Sequence, residues 1–344
     1  MLLDATSSAS AADREVAIAR AAQILADGGL LGLPTETVYG LAARADDDAA
    51  VAQIFAAKGR PTGHPLIVHV AATDDPVDAA RPFAAPDFLD TLPDHAASLM
   101  RAFWPGPLTV IVPRREGVAT AAAGHHPSVG LRCPSHPVAQ AVLRAAAARG
   151  VPGVAAPSAN PFGRVSPTTA QHVLAEFGDA LPVLDGGACQ VGIESTIIDC
   201  TRGQPVLLRP GAITPNDVFR RLQVRVLLPE AAQGAAPQAS GTLVSHYAPR
   251  ARVRLMGAAD MQAALDLLGD EAPAIGIWNR TPLRTTARQV HLHAMPADAA
   301  AAAHALFAEL RALDALGVGL IWIEAVPPTA EWAGVADRLR RAAA

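Results

Sequence analysis

Two short stretches concentrate the polar chemistry of this chain: Pro34-Thr35-Glu36-Thr37-Val38-Tyr39-Gly40, and Lys58-Gly59-Arg60-Pro61. Both stand among strongly apolar segments, and the apolar run Leu30 to Leu33 leads straight into the hydroxyls and the carboxylate of the first. Polar groups in such surroundings cost stability unless they are paired or perform chemistry. Lys58 and Arg60 lie on a loop framed by Gly and Pro. That placement suits a polyphosphate, with Arg as a planar fork and Lys as a point charge. A Lys/Arg pair taken alone is more often a solvated surface pair. His69, at the end of Pro65-Leu66-Ile67-Val68-His69-Val70, is by itself more often structural than catalytic.

Further motifs follow in order. They are Phe103-Trp104-Pro105-Gly106-Pro107-Leu108-Thr109, Val129-Gly130-Leu131-Arg132-Cys133-Pro134 and Ala156-Pro157-Ser158-Ala159-Asn160. Next come Asp185-Gly186-Gly187, Gly192-Ile193-Glu194-Ser195-Thr196-Ile197-Ile198-Asp199, Leu208-Arg209-Pro210-Gly211 and Ser245-His246-Tyr247-Ala248-Pro249. Singly, each has a plain reading. Pro157 to Pro161 is a turn. Ser166, ahead of Pro167-Thr168-Thr169, is a helix N-cap or its neighbour. Thr35 and Thr37 can bond local backbone. Arg132, after an apolar strand, needs an anion, and an internal carboxylate would serve.

Taken together and in this order, the motifs resemble the threonylcarbamoyl-AMP synthases. The resemblance is to the longer Sua5-type branch of the YrdC-like family and runs over roughly residues 15 to 250. It implies an α/β protein, with a YrdC-like mixed α/β N-terminal domain and a smaller Rossmann-like three-layer C-terminal domain. It implies a nucleotidyltransferase that forms threonylcarbamoyl-AMP and pyrophosphate from L-threonine, bicarbonate and ATP. That product serves the N6-threonylcarbamoyladenosine modification of tRNA at position 37.

The resemblance also assigns residues. Lys58 and Arg60 act on ATP as the catalytic cations. Thr35, Thr37, His69, Arg132, Ala156 and Ser195 line the threonine pocket, with Arg132 on the substrate carboxylate. His64, Ser128, Ser158, Asn160, Ser166, Arg209 and Tyr247 join Lys58 and Arg60 at the nucleotide. In this chemistry an N-carboxy-threonine attacks the α-phosphate. Charge builds on phosphoryl oxygens, so cations matter more than a covalent nucleophile. Mg2+ accompanies ATP, whose oxygens supply its ligands, and no protein metal ligand is expected.

The chain departs from the pattern in places. His64 stands where many relatives have Asn, and Ser128 where Thr is common. Ser240-Gly241-Thr242-Leu243 replaces a Pro-Gly-Met form. The expected partner is a tRNA threonylcarbamoyl-transferase that takes the product, with no stable nucleic-acid complex and no membrane. Two other readings compete. A carbamoyl-adenylate-forming maturation factor would carry Cys-rich zinc modules, against three scattered cysteines here. An RNA-binding module is usually basic, against a net charge of -4 and a pI of about 6.2.

The elements that must position these residues follow from periodicity and punctuation. At 344 residues the chain exceeds a usual single domain. Aromatics are only 4%, so Ala, Leu and Val must fill the core. Helices are expected over 11–27, 49–57, 93–103, 137–148 and 168–177, with strands at 30–33, 66–70, 108–112, 154–156 and 195–199. The 229–241 stretch, rich in Ala, Gln, Gly, Pro and Ser, reads as a linker, and its continuation to Pro249 as a lid with Tyr247 at its end. The expected organisation is a catalytic domain over 1–226, a linker or lid over 227–250, and a C-terminal domain over 251–344. In the last, strands at 253–256, 274–278 and 320–325 alternate with helices at 261–268, 297–313 and 331–342. Cys133, Cys189 and Cys200 lack CxxC spacing and read as small buried hydrophobes. With neither a signal-peptide pattern nor a membrane-length apolar run, a cytoplasmic location is expected.

Overall fold

The computed structural model describes residues 1–72, 86–232, 237–241 and 245–344. The chain divides into two compact units. The first is Met1–Phe162 with Ser166–Thr242, and the second is Gly163–Val165 with Leu243–Ala344.

The first unit is built on strands β1 (Leu2–Asp4), β2 (Leu31–Leu33), β3 (Gly40–Arg44), β4 (Ile67–His69), β5 (Leu108–Pro113), β6 (Ser128–Arg132), β7 (Val154–Ala155), β8 (Val183–Asp185), β9 (Thr196–Asp199) and β10 (Val206–Arg209). They form one mixed sheet in the order β1-β8-β2-β3-β7-β4-β6-β5-β9-β10. Its helices are α1 (Ala11–Ala26), α2 (Asp48–Lys58), α3 (Asp94–Phe103), α4 (Pro137–Ala147), α5 (Ala170–Phe177) and α6 (Pro215–Leu222).

Strand alternation decides what each face meets. Leu31, Leu33, Ala42, Val154 and Ala156 pack with Ala21, Leu25, Val142 and Leu143 of α1 and α4. The intervening residues Leu41, Ala43, Val68, Val110 and Leu131 pack on the other face with Val51, Ile54 and Phe55 of α2 and Leu99 and Met100 of α3. The α1/α4 face continues across β4, β6, β5 and β9. There Ile67, Gly130, Thr109, Ile111 and Ile197 line a small cleft, and Gln238, Ala239 and Ser240 lie against it. Ala239 is buried on Ile111 and Ile197.

Several strands escaped the sequence reading. β3 reads Gly-Leu-Ala-Ala-Arg, without the β-branched residues that mark a strand. It forms because β2 and β7 flank it on both sides. β8 and β10 are short and lie close to turn residues, which hides their alternation. The segment after Val226 is also less loose than its composition implies. Leu227 donates to the Pro205 carbonyl and accepts from the Leu207 amide, which ties the chain just after 226 to β10.

The second unit holds β11 (Arg252–Met256), α7 (Ala258–Leu268), β12 (Ile275–Asn279), β13 (Val290–Ala294), α8 (Ala299–Ala315), β14 (Leu320–Glu324) and α9 (Ala333–Ala342). The strands make a parallel sheet in the order β11-β14-β12-β13. Ile275 and Ile277 pack with Met261 and Leu265 of α7. Gly276, pointing the other way, lies under Leu313 of α8, where an added Cβ would sit 3.0 Å from its Cδ2. α7 therefore lies on one face and α8 on the other, with α9 packed beside α8, giving three layers. β13, with its Val-His-Leu-His-Ala edge sequence, is the strand that sequence reading missed here.

All three cysteines are buried. Burial pushes the thiols of Cys133 and Cys200 up to about 12 and raises that of Cys189 as well. No helix among the described residues is long and apolar enough to cross a membrane.

Candidate active site

β4 and β6 run parallel, with His69 opposite Arg132 and Ile67 opposite Gly130. This pair lays the candidate residues out along its length. His69 and Arg132 stand at its C-terminal end. Ser128 opens β6 and His64 precedes β4, so both lie toward the other end. At about 3.3 Å per residue, Ser128 is some four residues, or ~13 Å, from Arg132.

The Arg132 end is dry and polar. Arg132 is 4% exposed. Its Nη1 donates to Thr37 Oγ1 at 2.8 Å, and its Nη2 lies 2.8 Å from Glu36 Oε1. Its Nε has no hydrogen-bond partner among the described residues. Thr35 Oγ1 contacts Thr37 Oγ1 at 3.0 Å and donates to the Val38 carbonyl at 2.6 Å. The tight 34–39 loop between β2 and β3 thus fixes both hydroxyls and the carboxylate. Burial opposes the charged form of Glu36, but the Arg132 charge and the Ser135 amide outweigh it and hold its carboxyl below the usual range. His69 is driven down to about 3 by burial and by Arg132, so it is a neutral imidazole at ordinary pH. Ala156, buried beside β7, donates its amide to the Ile67 carbonyl.

Ser195 begins a second cluster. Its Oγ meets Thr109 Oγ1 at 2.7 Å. Arg209 donates to the Ser195 carbonyl from Nε at 3.1 Å and Nη2 at 2.9 Å, and to its Oγ at 3.1 Å. Arg209 Nη1 also donates to the Ser240 carbonyl at 2.9 Å. Gly211 explains the end of the Leu-Arg-Pro-Gly motif. A Cβ there would stand 2.5 Å from the Thr196 amide nitrogen, so only glycine permits this approach.

Lys58 closes α2. Gly59 follows in the left-handed region at φ 62° and stops the helix at that lysine. Lys58 is 4% exposed and donates from Nζ to the carbonyls of Ser158, at 2.6 Å, and Asn160. Burial, then the nearby charge of Arg60, lowers its pKa well below the usual lysine value. The 157–160 loop is clamped onto β3 by the Leu41 amide on the Pro157 carbonyl and the Ala159 amide on the Tyr39 carbonyl. Arg60 donates to the Pro65 carbonyl at 3.0 Å and to Ser240 Oγ at 3.4 Å, and stacks over Phe162. His64 meets the same ring edge-on at 5.8 Å between centroids. Ser166 is fully buried and donates to Glu194 Oε1 at 2.5 Å.

The structure therefore brings together Thr35, Thr37, His69 and Arg132. It joins Ser195 with Arg209, and Lys58 with Ser158 and Asn160, while Ser128 lies apart from the Arg132 end. Tyr247 falls in the second unit. Its ring is 1% exposed and packs on Phe307 and under Arg338. Three participants were not picked out from sequence: Glu36, Thr109 and Glu194. All three sit inside quoted motifs, Glu36 and Glu194 as carboxylates. The signal for the two glutamates was a carboxylate in an apolar stretch beside a residue already singled out.

The relatives of this chain define an enzyme of the nucleotidyltransferase type, and here cations and hydroxyls gather at strand ends. The chain belongs to the Sua5/YciO/YrdC family and, within it, to the Sua5-type threonylcarbamoyl-AMP synthases. Residues 23–211 match the family model described as telomere recombination, and 213–344 match the threonylcarbamoyl-AMP synthase C-terminal domain. The chain is 34% identical to the threonylcarbamoyl-AMP synthase of Pyrococcus abyssi, over 94% of this chain and 92% of that one. It is 33% identical to the Bacillus subtilis enzyme of the same name, over 95% and 92%. The crystal structure of P. abyssi Sua5 complexed with L-threonine superposes with a TM-score of 0.85 at 31% identity, covering 100% of this chain and 97% of that one.

Proposed function

We propose that the enzyme forms L-threonylcarbamoyladenylate and pyrophosphate from L-threonine, bicarbonate and ATP. Its product feeds the N6-threonylcarbamoyladenosine modification of tRNA at position 37 through a tRNA threonylcarbamoyl-transferase. The observation that carries this reading is Arg132, a buried guanidinium with an unpartnered Nε at a strand end. Such a group is built to receive an anion, and the solved relative that holds L-threonine shares this fold.

Arg132 takes the threonine carboxylate, with Thr35, Thr37, neutral His69, Ala156 and Ser195 forming the walls. Lys58 and Arg60 meet the triphosphate, with Ser158, Asn160, Ser166, Arg209, His64 and Ser128 along the nucleotide path and Tyr247 at the end of the lid. The carbamate oxygen of N-carboxy-threonine attacks the α-phosphorus, and the bond to pyrophosphate breaks. The two cations offset charge on the phosphoryl oxygens as the leaving group departs. Among the described residues no three His, Cys, Asp or Glu side chains gather as a cation site. Glu194, whose charge acts on Lys58, is engaged with Ser166. Mg2+ would arrive on the nucleotide, whose own oxygens supply its ligands, and would neutralise the phosphates. The cytoplasm, where these substrates occur, is the proposed location.

Pyrophosphate release from ATP should require both threonine and bicarbonate and should proceed without RNA. Release that ignores threonine would overturn the proposal.

A further inference from the structure

We propose that Glu36 binds the α-ammonium of the amino-acid substrate, and so makes the Arg132 pocket selective for a zwitterion over a simple carboxylic acid. This rests on the amino-acid reading of that pocket.

The geometry starts from the ion pair. Glu36 is 4% exposed and Arg132 4%. The carboxylate lies 2.8 Å from Nη2 and feels the Ser135 amide, yet neither of its oxygens meets a donor in line. The pair is therefore electrostatically matched but under-bonded on both sides, with Arg132 Nε unpartnered on one and Glu36 oxygens on the other. Leaving a buried polar atom without a partner is costly, so the pair holds unused capacity for one acceptor and one donor. An amino acid presents those two functions on adjacent atoms: a carboxylate for the guanidinium edge and an ammonium for the carboxylate.

Charge balance points the same way. The titratable groups acting on this pair are His69, His136, Cys133 and Cys189. Burial lowers both histidines and raises both thiols, leaving all four neutral. With Arg132 and Glu36 opposed, the pocket is neutral overall. A monoanion would bring an uncompensated charge into a dry site, whereas a zwitterion brings none. Glu36 is also a weak proton acceptor, since its carboxyl is held below the usual range. That favours holding an ammonium over acting as a general base.

The test compares L-threonine with 3-hydroxybutyrate, which keeps the carboxylate and the hydroxyl and lacks the amine. Calorimetric titration of the wild-type enzyme should show threonine preferred by at least about tenfold, the loss expected when a buried charge is left without its partner. Glu36→Gln should weaken threonine and bring the two ligands within about threefold of each other, whereas Glu36→Asp should keep part of the preference. Thermal unfolding separates a lost contact from a lost fold. Equal binding of both ligands by the wild type would overturn the proposal whether or not the variants fold. So would an unchanged preference in folded Glu36→Gln. If the wild type binds 3-hydroxybutyrate and threonine binding is absent, the amino-acid reading of the pocket itself fails.

Discussion

His69 and Arg132 face each other directly across the parallel β4–β6 pair, so one sheet register places a neutral imidazole beside a permanent cation. The imidazole can only donate or accept a hydrogen bond there. The guanidinium carries the charge recognition.

Arg132→Ala should therefore weaken threonine by about 2–5 kcal/mol and leave ATP affinity nearly unchanged. It should also strand Glu36 as a buried charge and lower stability by about 3–5 kcal/mol. Calorimetry and denaturant unfolding read the two effects separately. Unaltered threonine affinity would refute the carboxylate role.

Lys58→Ala should act through the nucleotide, raising the ATP requirement by about 1.5–3 kcal/mol, with Ser158→Ala the milder change. Pyrophosphate release at subsaturating ATP is the measurement. A wild-type rate in Lys58→Ala would remove the phosphate assignment.

The same lysine gives a pH signature. Burial lowers its pKa in the free enzyme, and a bound triphosphate favours the charged form and raises it. ATP binding should then take up protons on the alkaline side of the lowered value. Affinity should fall as pH rises through that value. Titrations in buffers of different ionisation enthalpy detect the uptake, and buffer-independent heats across that range would contradict it.

Gly211→Ala should lower stability by about 1–3 kcal/mol, because the new Cβ meets the Thr196 backbone at 2.5 Å and must push the strand. Gly276→Ala should cost less, since its nearest neighbour is the flexible Leu313 tip at 3.0 Å. Denaturant midpoints that rank the two the other way would show that β9 yields more easily than α8.

The lid expectation can be checked by proteolysis. Arg209 holds the Ser240 carbonyl, so Arg209→Ala should speed cleavage within 227–250, and threonine with ATP should slow it in the wild type. Equal cleavage with and without substrates would make the segment a tether only.

Much of this architecture is legible in the sequence. α1, α2, α4 and α8 announce themselves by apolar spacing and by clear stops such as Gly59. The polar site motifs stand out because they interrupt apolar strands. What stays hidden is what only pairing creates. β3 is alanine-rich and becomes a strand because neighbours supply its hydrogen bonds. Glu36 is visible as a residue but not as a partner, because the ninety-odd residues between it and Arg132 carry no sign that β6 returns to the 34–39 loop. Ala239 and Ser240 read as linker because their partners, Ile111, Ile197 and Arg209, lie far back in the chain.

The three buried thiols have a practical consequence. A thiol held near 12 is ionised at only about one part in 10⁵ at pH 7, and alkylating reagents attack the thiolate. In the folded enzyme these cysteines are silent to such reagents, and each becomes reactive only when its own stretch of core opens. Cys133 follows β6, Cys189 lies beyond β8 and Cys200 follows β9. The native chain thus carries three intrinsic probes, spread across one sheet, whose labelling rates time the breathing of its strands without any label being engineered in.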